Sequence, residues 1–168
     1  MYANCWCTWW RLSSKDWDAA GAGGRRALFE ELVREGREPG LVAYIDDEPV
    51  GWVAVGPRDE FPRQQRSPVL APPDDSTGVW TVNCFWIRKD RRGEGVAQAL
   101  LRAATDHAFA RGATAVDGVP IDPAARAKAA DAYTGVVAMF DSEGYVEMAR
   151  RKPNGRVIMR RRRDRAMP

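Results

Sequence analysis

The run Arg92-Gly93-Glu94-Gly95-Val96-Ala97 carries the clearest chemistry in this chain because of what stands on either side of it. Trp80–Ile87 is an apolar, aromatic stretch that reads as a strand. Arg88–Arg91 makes a charged turn, and Val96–Ala110 repeats Ala97, Leu100, Leu101, Ala104 and Ala108 at helical spacing. A strand that feeds a glycine-bearing loop into a helix start builds an anion cradle. The glycines let backbone N–H groups approach a phosphate, and the first turn of the helix adds unpaired donors and the positive end of its dipole. The chemistry to expect is the holding of a phosphorylated cofactor.

Two other glycine loops are weighed against this one. The phosphate loop of nucleotide hydrolases needs Gly-x-x-x-x-Gly-Lys-Ser/Thr, and the chain has no such string. The dinucleotide fingerprint Gly-x-Gly-x-x-Gly begins at Gly93 and Gly95, but Gln98 stands where its third glycine belongs. That fold also turns directly out of its strand, whereas Arg88–Arg92 intervene here. Asp117, 22 residues past Gly95, is the one residue that could mimic its ribose-binding acid.

The form Arg-x-x-Gly-x-Ala, read at Arg92, Gly95 and Ala97, resembles the acetyl-CoA-binding motif of the GNAT (Gcn-related N-acetyltransferase) superfamily. The five-residue step from Ile87 to Arg92 is similar to the family's spacing. The resemblance implies an α/β fold, a single-domain mixed sheet with helices on both faces, over about 25–160. It also implies acetyl-CoA as acyl-donor co-substrate, no metal, and direct transfer to an amine of a small molecule or protein. By the same resemblance, backbone groups of Arg92, Gly93, Glu94, Gly95, Val96 and Ala97 hold the pyrophosphate, with charge added by Arg91 or Arg92. Phe85, Trp86 and Ile87 pair with the pantetheine like an added strand, and Phe140 lies along that arm.

Proton handling departs from the family pattern. Several relatives carry a Glu where this chain has Asn83, and an amide cannot act as a base. Many carry a Tyr where this chain has Phe140. The family's Asn nearer the start of the last helix is replaced by Tyr133, which becomes the candidate general acid; seven residues apart on one helix, Tyr133 and Phe140 would share a face. Asp59, Glu60, Asp74, Asp75 and Asp117 are the carboxylates that could act as base through water. The rival reading is a catalytically silent acyl-CoA-binding regulatory or interaction module, supported by these missing positions.

Composition bounds the rest. One domain accounts for 168 residues, 45% hydrophobic and 29% charged. No apolar run reaches membrane-span length and the start lacks a signal-peptide pattern, so the expectation is a cytoplasmic protein, a monomer or homodimer. The net charge of +3 is a terminal effect: 150–168 carry nine Lys/Arg and one acid, leaving the first 149 residues net acidic. The basic tail 161–168 lacks interleaved aromatics, so nucleic acid is not the expected partner. Cys5, Cys7 and Cys84 with the lone His107 make neither a disulfide framework nor a zinc signature. Trp6, Trp9, Trp10 and Trp17 read as packing residues or as a wall for an amine.

The elements expected to position these groups follow in order. Ser13–Gly24 reads as loop and Arg25–Glu35 as helix. Leu41–Ile45 and Val50–Val55 form a hairpin. Gly56–Gly78 is a long loop of the kind that covers substrates. Ala113–Val119 is a strand, Ile121–Ala132 an insertion, and Thr134–Glu143 a helix. Tyr145–Ala149 and Arg156–Arg160 close the chain as an antiparallel pair.

Overall fold

A computed structural model describes residues 4–122, 129–152 and 155–163. Six strands form one mixed sheet: β1 (Gly40–Ile45), β2 (Glu48–Pro57), β3 (Val79–Ile87), β4 (Ala115–Gly118), β5 (Val146–Ala149) and β6 (Ile158–Arg162), in the order β1-β2-β3-β4-β6-β5. All neighbours are antiparallel except β3 and β4, whose parallel pairing needs a crossover. Helix α3 (Val96–Ala110) supplies it, burying Leu100, Leu101, Ala104 and Ala108 against Val53, Val82 and Val116.

That face also takes α4 (Val137–Ser142), whose Phe140 packs edge-on to Phe85 and Tyr145. The opposite face is covered by α1 (Ser14–Arg34), by α2 (Pro62–Gln65) and by the N-terminal turns, with Trp10, Phe61, Cys84, Val119 and Ile158 as its core. Phe29 of α1 meets Trp52 there with 5.7 Å between ring centroids. The expected hairpins, central strand, α3 and closing pair all form.

Three elements differ from the sequence reading. Ser13–Gly24 is not a loop. Ser13 accepts a bond from the Asp16 N–H and starts α1, and the glycine cluster is absorbed with one left-handed break at Gly21. The aromatic stretch before Ser13, which the sequence leaves ambiguous between a strand and a short helix, forms turns over residues 4–12, with Asn4, Trp6 and Cys7 at positive φ. The last helix is split. Ala129–Thr134 is a 3-10 turn, Gly135 turns the chain at φ +84, and only then does α4 begin.

Candidate active site

At the carboxyl end of β3 the chain makes a 3-10 turn at Lys89–Arg91 and passes Gly93 and Gly95, both at positive φ, into α3. A side chain at either glycine would meet open space, but the left-handed backbone there disfavours one. Gly95 is the N-cap and offers no side-chain cap, and the first turn of α3 carries no acid. Ala99 is the first α3 residue whose N–H is bonded to a carbonyl, that of Gly95, so the donors before it face outward at the positive helix end. Arg92 sits exposed, its Nε donating to the Ile87 carbonyl at 3.3 Å, and has no carboxylate partner among the described residues. Arg91 is engaged by Glu94 at 3.5 Å and Asp90 at 3.9 Å. The cradle therefore presents outward N–H donors and one guanidinium free of ion pairing.

β3 itself is paired unevenly. With β2 it pairs as far as Gly51↔Ile87, but with β4 it stops at Val82↔Gly118. From Asn83 onward its β4 side has no partner strand, and this is where an extended ligand could add itself as a strand. The register with β2 skips Asn83, since Val55 faces Val82 and Ala54 faces Cys84, so Asn83 is a β-bulge. Beyond it, Phe85 is buried, Ile87 half-buried and Trp86 exposed.

The two residues expected on one helix face are separated. Phe140 is fully buried in the α3-side core, wedged so tightly that a Cβ on Gly118 would lie 2.1 Å from its ring. It packs; in this structure no part of it is open to a cofactor arm. Tyr133 lies in the 3-10 turn and packs on the other face of the sheet, with the Arg156 guanidinium 4.9 Å from its ring centroid. The break at Gly135 undoes the shared-face geometry. Tyr145 is also buried; its hydroxyl lies 2.6 Å from that of Thr105, and burial pushes its pKa up.

The candidate bases are mostly taken. Asp117 accepts two bonds from the fully buried Arg160, from Nε at 2.6 Å and Nη2 at 2.9 Å. Asp74 accepts from Arg160 Nη1 at 2.7 Å, and this bond, with those from Ser76, holds its carboxyl at about 2. Burial pushes the Glu60 carboxyl up, but hydrogen bonds from Arg11 and Arg37 outweigh it and the net shift is downward. Asp59 and Asp75 are exposed and line a cleft of about 650 Å³ at the amino end of β3, away from the cradle. Sequence reasoning missed the arginines that neutralise these acids because the pairs join residues 43, 86 and 49 positions apart.

The long loop 56–78 is pinned in the same way. Arg58 donates to the carbonyls of Asp74 and Ser76, and Arg151 to those of Val69 and Ala71. Cys84 is buried beside Cys7, and that contact together with burial raises its pKa well above the usual thiol value, which leaves it a poor nucleophile. Among the described residues no cluster of three His, Cys, Asp or Glu side chains could hold a metal. None of their helices is long and apolar enough to cross a membrane.

The sequence model of the Acetyltransferase (GNAT) family matches residues 6–134. The chain belongs to this family. Solved structures agree on the fold. A ribosomal-protein-alanine N-acetyltransferase from Brucella melitensis superposes with a TM-score of 0.55 at 19% identity, covering 84% of this chain and 78% of that one. An aminoglycoside acetyltransferase AAC(6')-Ib, solved with coenzyme A and kanamycin, gives 0.57 at 16% identity over 84% and 76%. A Salmonella typhimurium protein solved with its cofactor acetyl-CoA gives 0.54 at 18% over 88% and 77%. No curated protein matches. This GNAT chain thus keeps the family's sheet and crossover, and its glycine loop lies at the helix start that the sequence motif marks.

Proposed function

We propose that this GNAT protein transfers an acetyl group from acetyl-CoA directly to an amine. The observation that carries the reading is the cradle itself: two left-handed glycines, an uncapped helix start and the guanidinium of Arg92, set at the end of a strand whose next neighbour has dropped away. The pyrophosphate is held by the N–H groups of Arg92–Ala97. The pantetheine runs along Phe85, Trp86 and Ile87 in place of β4, which brings the thioester toward Asn83. The fold neighbours that carry coenzyme A or acetyl-CoA support this cofactor.

Direct attack needs no covalent enzyme intermediate, in keeping with the buried Cys84 thiol, whose pKa is raised by its neighbour Cys7 and by burial. Holding donor and acceptor together supplies much of the rate. Tyr133 is the proposed proton donor to the departing thiolate: of the described tyrosines, it is the one packed on the Cys84 side of β3. The carboxylates paired with arginine leave the acceptor's proton to water.

A thiol-release screen of small amines and peptide N-termini with acetyl-CoA tests the activity. Gly95→Glu tests the cradle: at that φ any side chain is strained, and the change sets a negative charge at the helix start where the pyrophosphate is proposed to lie. Calorimetry should show acetyl-CoA affinity reduced at least about a hundredfold, while circular dichroism shows a folded chain. Equal affinity in the folded variant overturns the assignment, as does wild-type preference for a nicotinamide dinucleotide. A wild type that binds acetyl-CoA but releases no thiol with any amine selects the silent binding module instead.

A further inference from the structure

Asn83 is out of character with its surroundings. It stands in the middle of Val79–Ile87, a strand whose other buried positions are apolar apart from Thr81. Its side chain is fully buried, and neither Oδ1 nor Nδ2 has a hydrogen-bond partner. The eight other buried polar or charged side chains described, Thr8, Gln64, Thr81, Thr105, Asp117, Thr134, Glu143 and Arg160, all make hydrogen bonds. A buried amide with no partner destabilises a fold, and a hydrophobic residue of similar size would remove that cost. Its position is equally particular. Asn83 is the bulged residue of β3 and the first beyond the last β3–β4 pair, Val82↔Gly118.

We infer that the Asn83 side chain is a catalytic oxyanion donor, its Nδ2–H aimed at the thioester carbonyl oxygen of the bound acyl-CoA. The inference rests on the acetyl-CoA reading above and extends it to a side chain that cannot serve as a base. With the pantetheine along Phe85–Ile87, the acyl carbon arrives at the bulge. As the amine nitrogen attacks, a C–N bond forms and the carbonyl electron pair moves onto oxygen, where the amide N–H receives it. Collapse restores the carbonyl, breaks the C–S bond and releases the thiolate. The acceptor's proton leaves to water and a proton reaches the sulfur, so the overall exchange is neutral. A donor held ready in a water-free site pays no reorganisation at the moment of reaction. The 3-10 turn Ala129–Thr134 packs against β3 next to this position.

The test compares wild type with Asn83→Leu, which removes both polar atoms at similar volume, and Asn83→Asp, which removes the donor and keeps the shape. Calorimetry uses acetyl-CoA and free coenzyme A as probes. Turnover is read as thiol release with the best amine of the screen, or with water where no amine reacts. In Asn83→Leu, coenzyme A affinity should stay within about threefold while acetyl-CoA affinity falls about tenfold. Thiol release should fall about 10²–10³-fold, the usual cost of losing one oxyanion donor. The melting temperature of the free protein should hold or rise, which a merely structural role would not produce. Asn83→Asp should be as slow as Asn83→Leu. Thiol release within threefold of wild type in either variant overturns the inference and leaves the acetyl-CoA reading standing. A lowered melting temperature with both affinities lost in Asn83→Leu, together with full activity in Asn83→Asp, assigns Asn83 to packing. Wild type that binds neither probe overturns both readings.

Discussion

Two buried polar groups lie two residues apart along the β3–β4 seam, and the fold treats them in opposite ways. Asp117 faces Thr81 across the last stretch of parallel pairing, and Arg160 on β6 meets both of its carboxylate oxygens. Asn83, just past the end of that pairing, is equally buried and meets nothing. The difference lies in what each end of the seam does. Where β3 and β4 still pair, three strands and the 56–78 loop converge, and the Arg160–Asp117–Asp74 network ties them together. At the carboxyl end β4 has turned away. Buried polarity that is fully paired holds the structure; buried polarity left open beside an unpaired strand edge is placed to meet a ligand.

The largest effect should come from breaking the paired end. Arg160→Met leaves the Asp117 carboxylate buried without its cation, which costs about 3–5 kcal/mol. Urea denaturation should show that loss, and Arg160→Met with Asp117→Leu should regain most of it, since no charge then remains buried. A single variant within about 1 kcal/mol of wild type would mean that the network is ornamental and that the two ends of the seam do not differ as described.

Tyr133→Phe probes the open end from the other side of the sheet. It keeps the ring on which Arg156 lies and removes only the hydroxyl. If Tyr133 protonates the leaving thiolate, kcat should fall about 10²-fold or more with little change in acetyl-CoA affinity. A rate within about threefold of wild type makes Tyr133 a packing residue and leaves water as the acid.

The smallest effect is a pH dependence at Asp74. Its carboxyl titrates at about 2 in the fold, below the ordinary carboxylate value of 3.8, because Arg160 and Ser76 bond its ionised form. A group whose folded pKa is depressed stabilises the fold fully above its unfolded value and loses that contribution as pH falls through the folded one. The stability difference between wild type and Asp74→Asn should be flat from pH 7 to about 5, then shrink between about 4 and 2. Its size should stay below about 1 kcal/mol, because the carboxylate is one-third exposed and water screens the pair. A difference that grows on acidification would contradict the pairing.

Local pattern was enough for α3, for the hairpins and for the glycine loop that leads into α3. A strand, a charged turn, two glycines and an amphipathic helix are contiguous, and their geometry follows from near-neighbour backbone preferences. The family was legible for the same reason. Where local pattern misled, a distant partner decided. The glycines of Ser13–Gly24 read as loop because glycine weakens helices, yet Ser13 caps the segment and it is helical on both sides of a break at Gly21, with Trp17 and Phe29 packed on aromatic partners. Tyr133 and Phe140 fit one helix by spacing, and Gly135 with the tight fit of Phe140 under Gly118 puts them on opposite faces.

The amino-acid sequence by itself determined that this chain carries a glycine loop into the start of an amphipathic helix, because every group involved lies within a few residues of the next. Only the tertiary structure decided which polar groups are free to act. Hydrogen-bond saturation depends on partners from other strands: Arg160 claims Asp117 and Asp74, Arg11 and Arg37 claim Glu60, and nothing claims Asn83.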